Sequence, residues 1–231
     1  MSAQEKIMRL IAFILLFLLA LFVLLQFDET ITRRLTSLPD SVMRFFELLA
    51  RMGESDWMLI PTLLVWALCL SSTLLPLTYS LRWKLRSIGA MSGFIFVSVA
   101  LPGALAAFLK VAIGRARPIM LESHGTFHFT PFAGDWRFAG FPSGHATTAL
   151  ALAWALFFLF GKRANIAFVG AALIVVSRIV DSAHFATDVF AGTLLGSIGA
   201  ILVHYWFSSQ GWIFESKEKG ARNRMLRPFE R

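Results

Sequence analysis

Three stretches of this 231-residue chain set ionisable and small polar residues against long apolar runs. The first holds Lys110 and, seven positions on, Arg117 and Pro118. The second is Phe141-Pro142-Ser143-Gly144-His145. The third joins Ser177 and Arg178 to His184 and Asp188. Lys110, Arg117 and Arg178 supply three positive charges, two of them planar forks that match the oxygens of a phosphate. Ser143 and Gly144 follow a proline and precede an apolar run. That is the pattern of a helix N-cap region, where outward N–H groups favour an anion. His145 falls in the first turn of the same expected helix. His184 and Asp188 stand four apart, so a helical turn sets them on one face. A carboxylate that holds one imidazole nitrogen fixes the tautomer and leaves the other nitrogen free to attack. Together the set suits phosphoryl transfer. One histidine attacks phosphorus, the other protonates the leaving oxygen, and the cations neutralise the equatorial oxygens. The scheme calls for no metal and no cofactor.

Each element also has a plainer reading. A basic residue at a span end is usually a snorkelling anchor, and Arg115 is read that way. A histidine near an interface is usually a hydrogen-bonded filler, the reading given to His204. Pro-Ser-Gly before a helix is often only a cap, and Asp181 receives no role. Polar groups beside hydrocarbon are costly, however, and three such groups on one side of a membrane point to function.

The elements that must position them are membrane helices. Hydrophobic residues make up 57% of the chain, charged residues only 16%, and the mean hydropathy is +0.67. A soluble domain carries roughly a quarter charged residues. A helix crosses about 30 Å of hydrocarbon with about 20 residues. Six runs meet or approach that need: 7–27, 57–77, 88–109, 146–160, 164–180 and 189–207. The expected fold is therefore all-α, a single polytopic bundle of six transmembrane helices. Lys6 and Arg9 precede the first run, but no small-residue cleavage site follows it, so it is read as an uncleaved span. The single cysteine, Cys69, excludes an intrachain disulfide.

An even count puts both termini on one side. Lys6, Arg9, Arg82, Lys84, Arg86, Lys162, Arg163 and the basic tail over 208–231 fall there, thirteen of the 22 Lys and Arg residues. The positive-inside rule makes that side the cytoplasm and puts the three polar stretches outside. The net charge of +8 thus reads as topology and attraction to anionic headgroups rather than as a nucleic-acid surface. Outside as well, Val42, Phe45, Phe46, Leu49 and Met52 recur at helical spacing. They predict an amphipathic helix capped by Asp40 and ended by Gly53, lying on the outer leaflet or packed on the bundle. The connection from Ile119 to Phe141 is rich in aromatic residues. It is read mainly as an interfacial belt that borders the site and tunes headgroup choice, with a headgroup gate as the alternative.

The three stretches resemble the signatures of the type 2 phosphatidic acid phosphatase superfamily, which also includes bacterial lipid pyrophosphatases and soluble vanadium haloperoxidases. K-x6-R-P corresponds to Lys110 through Pro118, P-S-G-H to Pro142 through His145, and S-R-x5-H-x3-D to Ser177 through Asp188, with every signature residue present. The resemblance implies that His184 forms a phosphohistidine, that Asp188 orients it, and that His145 serves as general acid. It also implies that Lys110, Arg117, Ser143, Gly144 and Arg178 hold the phosphoryl oxygens. The choice of His184 over His145 as nucleophile rests on the resemblance and on the Asp188 partner. The expected activity is hydrolysis of a membrane lipid phosphate or pyrophosphate on the periplasmic face of a bacterial inner membrane. Phosphatidic acid, phosphatidylglycerol phosphate, undecaprenyl pyrophosphate and a lipid A-like phosphate are the candidate substrates. A lipid-to-lipid phosphotransferase is the alternative, and a non-catalytic transporter or scaffold a weaker one.

Overall fold

The computed structural model describes residues 3–35 and 37–214, and among them the fold is helical throughout with no strand. The helices are α1 (Ala3–Leu35), α2 (Asp40–Arg51), α3 (Asp56–Ser71), α4 (Tyr79–Ile113), the one-turn α5 (Leu121–His124), α6 (Gly144–Phe160), α7 (Asn165–Val180) and α8 (Ala186–Gln210). Among the described residues, five helical stretches are long and apolar enough to cross a bilayer: Ile7–Leu35, Asp40–Leu74, Tyr79–Ile113, Gly144–Val180 and Ala186–Gln210. The fourth contains two of the apolar runs read from sequence, joined through a 3-10 turn at Gly161–Ala164.

Helix ends depart from the apolar runs for local reasons. At about 1.5 Å per residue, the 35 residues of α4 exceed the hydrocarbon thickness. Arg82, Lys84 and Arg86, expected in a loop, therefore ride on its first turns, because charge excludes a residue from lipid but not from a helix. Conversely α3 gives way to a 3-10 turn at Ser72 and the chain is extended at Leu75, the conformation that Pro76 imposes on its predecessor. Pro39, not Asp40, sits at the N-cap of α2, and Asp40 lies in the first turn, where its charge meets the helix dipole. Helix α2 packs on α7. The expected tail begins later than 208: α8 runs to Gln210, and Ile213 and Phe214 return to pack with Phe94, Val203 and Phe207. The basic residues from Lys217 onward lie outside the described residues, as does the side chain of Lys6.

Helices α4, α6 and α8 form the centre of the bundle. Small residues let their backbones approach: Ala151 of α6 and Ala200 of α8 meet Val99 of α4 and Met58 of α3. Gly192 and Gly196, one turn apart on α8, lie against the backbone of Ser143 and Thr147, so a side chain at either would strike the start of α6. Helix α1 is different. Its apolar window buries nothing, and its only buried residues among those described are Asp28 and Thr32.

Candidate active site

The C-terminal end of α4, the N-terminal ends of α6 and α8 and the last turn of α7 converge at one end of the bundle. Lys110 occupies the last turn of α4, which closes on Gly114 in a left-handed conformation (φ 66°) with its N–H bonded to the Lys110 carbonyl. A Cβ added to Gly144 would lie 3.2 Å from Lys110 Nζ, so a glycine there admits the ammonium to the start of α6. Ser143 is the N-cap residue of α6, yet its side chain makes no capping bond. Its backbone N–H donates to the Asp188 carbonyl at 2.9 Å, and its buried hydroxyl has no partner. His145, one residue into α6, and Lys110 and Gly144 line a cleft of about 520 Å³ that continues along Leu59, Ala100 and Ala104.

The long connection after α4 is part of this site. Arg117 donates its backbone N–H to Arg137 O at 2.8 Å, and its guanidinium lies 5.3 Å over the Trp136 ring and 3.4 Å from Ala139 O. Trp136, expected to belong to an interfacial belt, thus packs against Arg117. Arg178 is held by Asp181, whose Oδ2 accepts from Nη1 at 2.6 Å. Asp181, given no role above, therefore aims an arginine, and its spacing of three from Arg178 was the available signal. Both arginines keep a buried Nε without a hydrogen-bond partner. Burial, then the neighbouring Arg178 charge, pulls the Arg117 guanidinium below its ordinary value.

His184 is 1% exposed. Its Nδ1 lies 2.7 Å from Gly140 O, and because a carbonyl only accepts, Nδ1 carries the proton and Nε2 is left with its lone pair. This corrects the expected Asp188–His184 bond. Asp188 Oδ2 stands 3.8 Å from Nδ1, beyond hydrogen-bond reach, and accepts instead from Phe185 N at 2.8 Å. The physical reason is that α8 starts at Ala186. His184 precedes the helix, so four-residue spacing does not create a shared helical face. Burial takes the imidazole down to about 4; the Asp188 carboxylate opposes this, and Lys110 and Arg117 reinforce it. His145 in turn lies within the electrostatic reach of Arg178, His184, Lys110 and Arg117. Of the eight residues singled out from the sequence, Lys110, Gly144 and His145 thus line the cleft, and Arg117, Ser143, Arg178, His184 and Asp188 are tied to them or to one another by backbone adjacency, hydrogen bonds or charge interactions.

Arg115 corrects a second expectation. It is no snorkelling anchor but 2% exposed, with Nη2 2.9 Å from Asp28 Oδ2 and Nη1 2.5 Å from Asp188 Oδ1. Asp28 gave no signal from sequence because its partners lie 87 and 159 residues away.

Residues 92–212 match the PAP2 superfamily. The chain belongs to that superfamily; it is a multi-pass membrane protein and an enzyme of the metal-independent phosphatase class. It is 33% identical over 183 residues to the lipid A 1-phosphatase of Rhizobium etli, covering 79% of this chain and 78% of that protein. The lipid A 1-phosphatase of Rhizobium johnstonii is likewise 33% identical, over 79% of this chain and 75% of its own. Two solved structures share the fold. One is LpxE of Aquifex aeolicus (TM-score 0.53, 23% identity, 77% of this chain and 94% of that one). The other is a transmembrane PAP2-type phosphatidylglycerolphosphate phosphatase of Bacillus subtilis (TM-score 0.57, 21% identity, 91% and 98%).

Proposed function

We propose that this enzyme removes a phosphate from a membrane glycolipid, the 1-phosphate of lipid A being the leading substrate, through a phosphohistidine on His184. The observation that carries the mechanism is the set of unpartnered, buried polar atoms, Arg117 Nε, Arg178 Nε and Ser143 Oγ, on the residues that surround an imidazole with a free Nε2. Nε2 attacks phosphorus as the bond to the lipid oxygen breaks, and His145 delivers a proton to that oxygen. His145 then takes a proton from water, whose oxygen displaces Nε2 and releases inorganic phosphate. Lys110, Arg117, Arg178, Ser143 and the Gly144 N–H stabilise the equatorial oxygens throughout. Asp188 acts at one remove by fixing the Phe185 N–H and so the backbone that carries His184. The apolar lower part of the cleft, along Leu59, Ala100 and Ala104, suits an acyl chain that reaches the site from the bilayer. The headgroup preference leans on the two Rhizobium relatives.

In the same reading α6 and α7 form a hairpin that crosses the membrane twice, giving six spans with the site on the periplasmic face of the inner membrane and both termini in the cytoplasm. Residues about equally distant from the turn at Gly161–Ala164 meet, such as Trp154 with Phe168 at 5.2 Å between ring centroids, which supports the fold-back.

The test is phosphate release by purified protein in detergent micelles from lipid A, phosphatidic acid, phosphatidylglycerol phosphate and undecaprenyl pyrophosphate. Lipid A is expected to be turned over fastest, in excess chelator as well as without it, and His184→Ala is expected to abolish release while the protein still inserts. Activity lost on chelation and restored by a divalent ion would overturn the scheme.

A further inference from the structure

We infer that Asp28, outside the three signature stretches, and Arg115, at an unspecified position within the first, are positioning residues for the reaction, so that α1 contributes to the active site as well as to the membrane anchor. The inference rests on the reading of His184 and Asp188 given above.

Every donor of the Arg115 guanidinium has an acceptor. Nη1 donates to Thr187 Oγ1 at 2.6 Å and to Asp188 Oδ1 at 2.5 Å. Nη2 donates to Asp28 Oδ2 and to Thr126 O, both at 2.9 Å, and Nε reaches Thr126 O at 3.3 Å. That uses all five N–H groups of the side chain. Phe185 lies beneath the guanidinium, 4.7 Å from ring centroid to Cζ. Asp28 makes its own contacts to α8: Oδ1 accepts from Thr187 N at 3.1 Å and Oδ2 from Thr187 Oγ1 at 2.5 Å. Asp28 and Asp188 are 0% exposed, Thr187 1% and Arg115 2%.

These bonds converge on one place, the first turn of α8. A carboxylate from α1 caps Thr187, while Asp188 of the same turn caps Phe185 N. His184 immediately precedes that capped turn, and its backbone N–H donates to Arg178 O in the last turn of α7 at 3.1 Å, so its position is set between the end of α7 and the capped start of α8. Its ring is oriented by Gly140 O, and Gly140 N in turn donates to Arg115 O at 2.9 Å. Arg115 therefore reaches the nucleophile by two routes, through its side chain to Asp188 and through its backbone to Gly140. The exposed Arg33–Glu122 pair at 2.6 Å ties α1 a second time to the connection that carries Gly140. A membrane anchor alone needs none of this. The apolar window of α1 touches the bundle through contacts such as Phe17 stacked on Phe190 of α8 but buries no residue, and Asp28 and Thr32 are the buried residues among those described in α1.

The experiment compares purified full-length wild type with Asp28→Asn, Arg115→Gln and Arg115→Lys, with phosphate release measured on whichever of the four lipids wild type hydrolyses fastest and kcat expressed per folded enzyme. Arg115→Gln is expected to lower kcat about tenfold or more while KM changes by less than about threefold, because the phosphate-binding cations are untouched. Arg115→Lys, which keeps the charge and three donors, is expected to recover several-fold over Arg115→Gln. Asp28→Asn, nearly isosteric, is expected to lose about threefold to tenfold in kcat, and it decides the matter if Arg115→Gln does not fold. Folded variants with wild-type kcat and only a lowered melting temperature overturn the inference and leave a structural tether. His184→Ala separates the two readings. If it too matches wild type, or if wild type hydrolyses none of the four lipids, the assignment of the site has failed; if it is inactive while Asp28→Asn and Arg115→Gln are not, only the positioning role has failed.

Discussion

The proposed phosphohistidine mechanism needs a neutral His184, and burial favours that form. The ordinary histidine value of 6.5 falls to about 4 in this environment. Protonating Nε2 removes the attacking lone pair, so between pH 6.5 and about 4 the folded enzyme keeps its nucleophile where an exposed histidine would lose it. The acidic limb of kcat/KM is therefore expected near pH 4, read from a pH–rate profile on protein shown to be folded at each pH; a limb near 6.5 contradicts the buried imidazole. The linked stability runs the same way, full above 6.5 and lost as pH falls through about 4, because the unfolded chain binds the extra proton first. The Asp28–Arg115–Asp188 network raises the opposite question, since buried ion pairs are weak sources of stability and removing one partner costs about 3–5 kcal/mol. Packing energy does not account for keeping three buried charges. At this scale the signature side chains were legible from type and spacing. Gly140 was not, because a backbone carbonyl has no residue signature, and neither were Asp28 and Arg115, whose separation along the chain hides their meeting.

The site depends on how closely α6 and α8 approach. Gly192 and Gly196 bring the α8 backbone against Ser143 and Thr147, and Ser143 N bonds to Asp188 O at 2.9 Å, so the two helix starts that hold His145 and Asp188 are locked by one small-residue seam. Gly196→Val puts a branched side chain into the Thr147 backbone. It is expected to destabilise by about 1–3 kcal/mol and so to lower the melting temperature in detergent by roughly 2–9 °C. Activity per folded enzyme should fall as well, since the start of α6 is displaced. An unchanged melting temperature would mean that the seam has room to spare. Hydropathy located the helices that carry the site, because lipid-facing windows must be apolar. It placed the ends of α6 and α7 within two residues but missed those of α3 and α4, where what ends the helix is local: Pro76 after α3, Gly114 after α4. The turn at Gly161–Ala164 falls where Lys162 and Arg163 separate two of the apolar runs, and α6 and α7 pack on each other across it.

Over the whole molecule, the gathering of polar residues at one end of the bundle only becomes useful if that end faces the leaflet that holds the substrate. The charge distribution argues for it: Arg82, Lys84 and Arg86 open α4, whereas Lys110 closes it 24 residues beyond Arg86, roughly 36 Å along the helix and longer than the hydrocarbon is thick. If α4 crosses the membrane, its two ends lie at opposite faces, and the orientation proposed above puts the basic cluster in the cytoplasm by the positive-inside rule and the site outside. Phe127, 70% exposed beside the site, and Lys162, in the turn between α6 and α7, should accordingly be on opposite sides. With the single native cysteine replaced by Cys69→Ala, a membrane-impermeant maleimide added to intact spheroplasts is expected to label Phe127→Cys. It should reach Lys162→Cys only after lysis. Labelling of both from outside would mean that α6 and α7 do not cross as a hairpin, and the opposite pattern would turn the active site toward the cytoplasmic leaflet and remove the argument for a substrate drawn from the outer one.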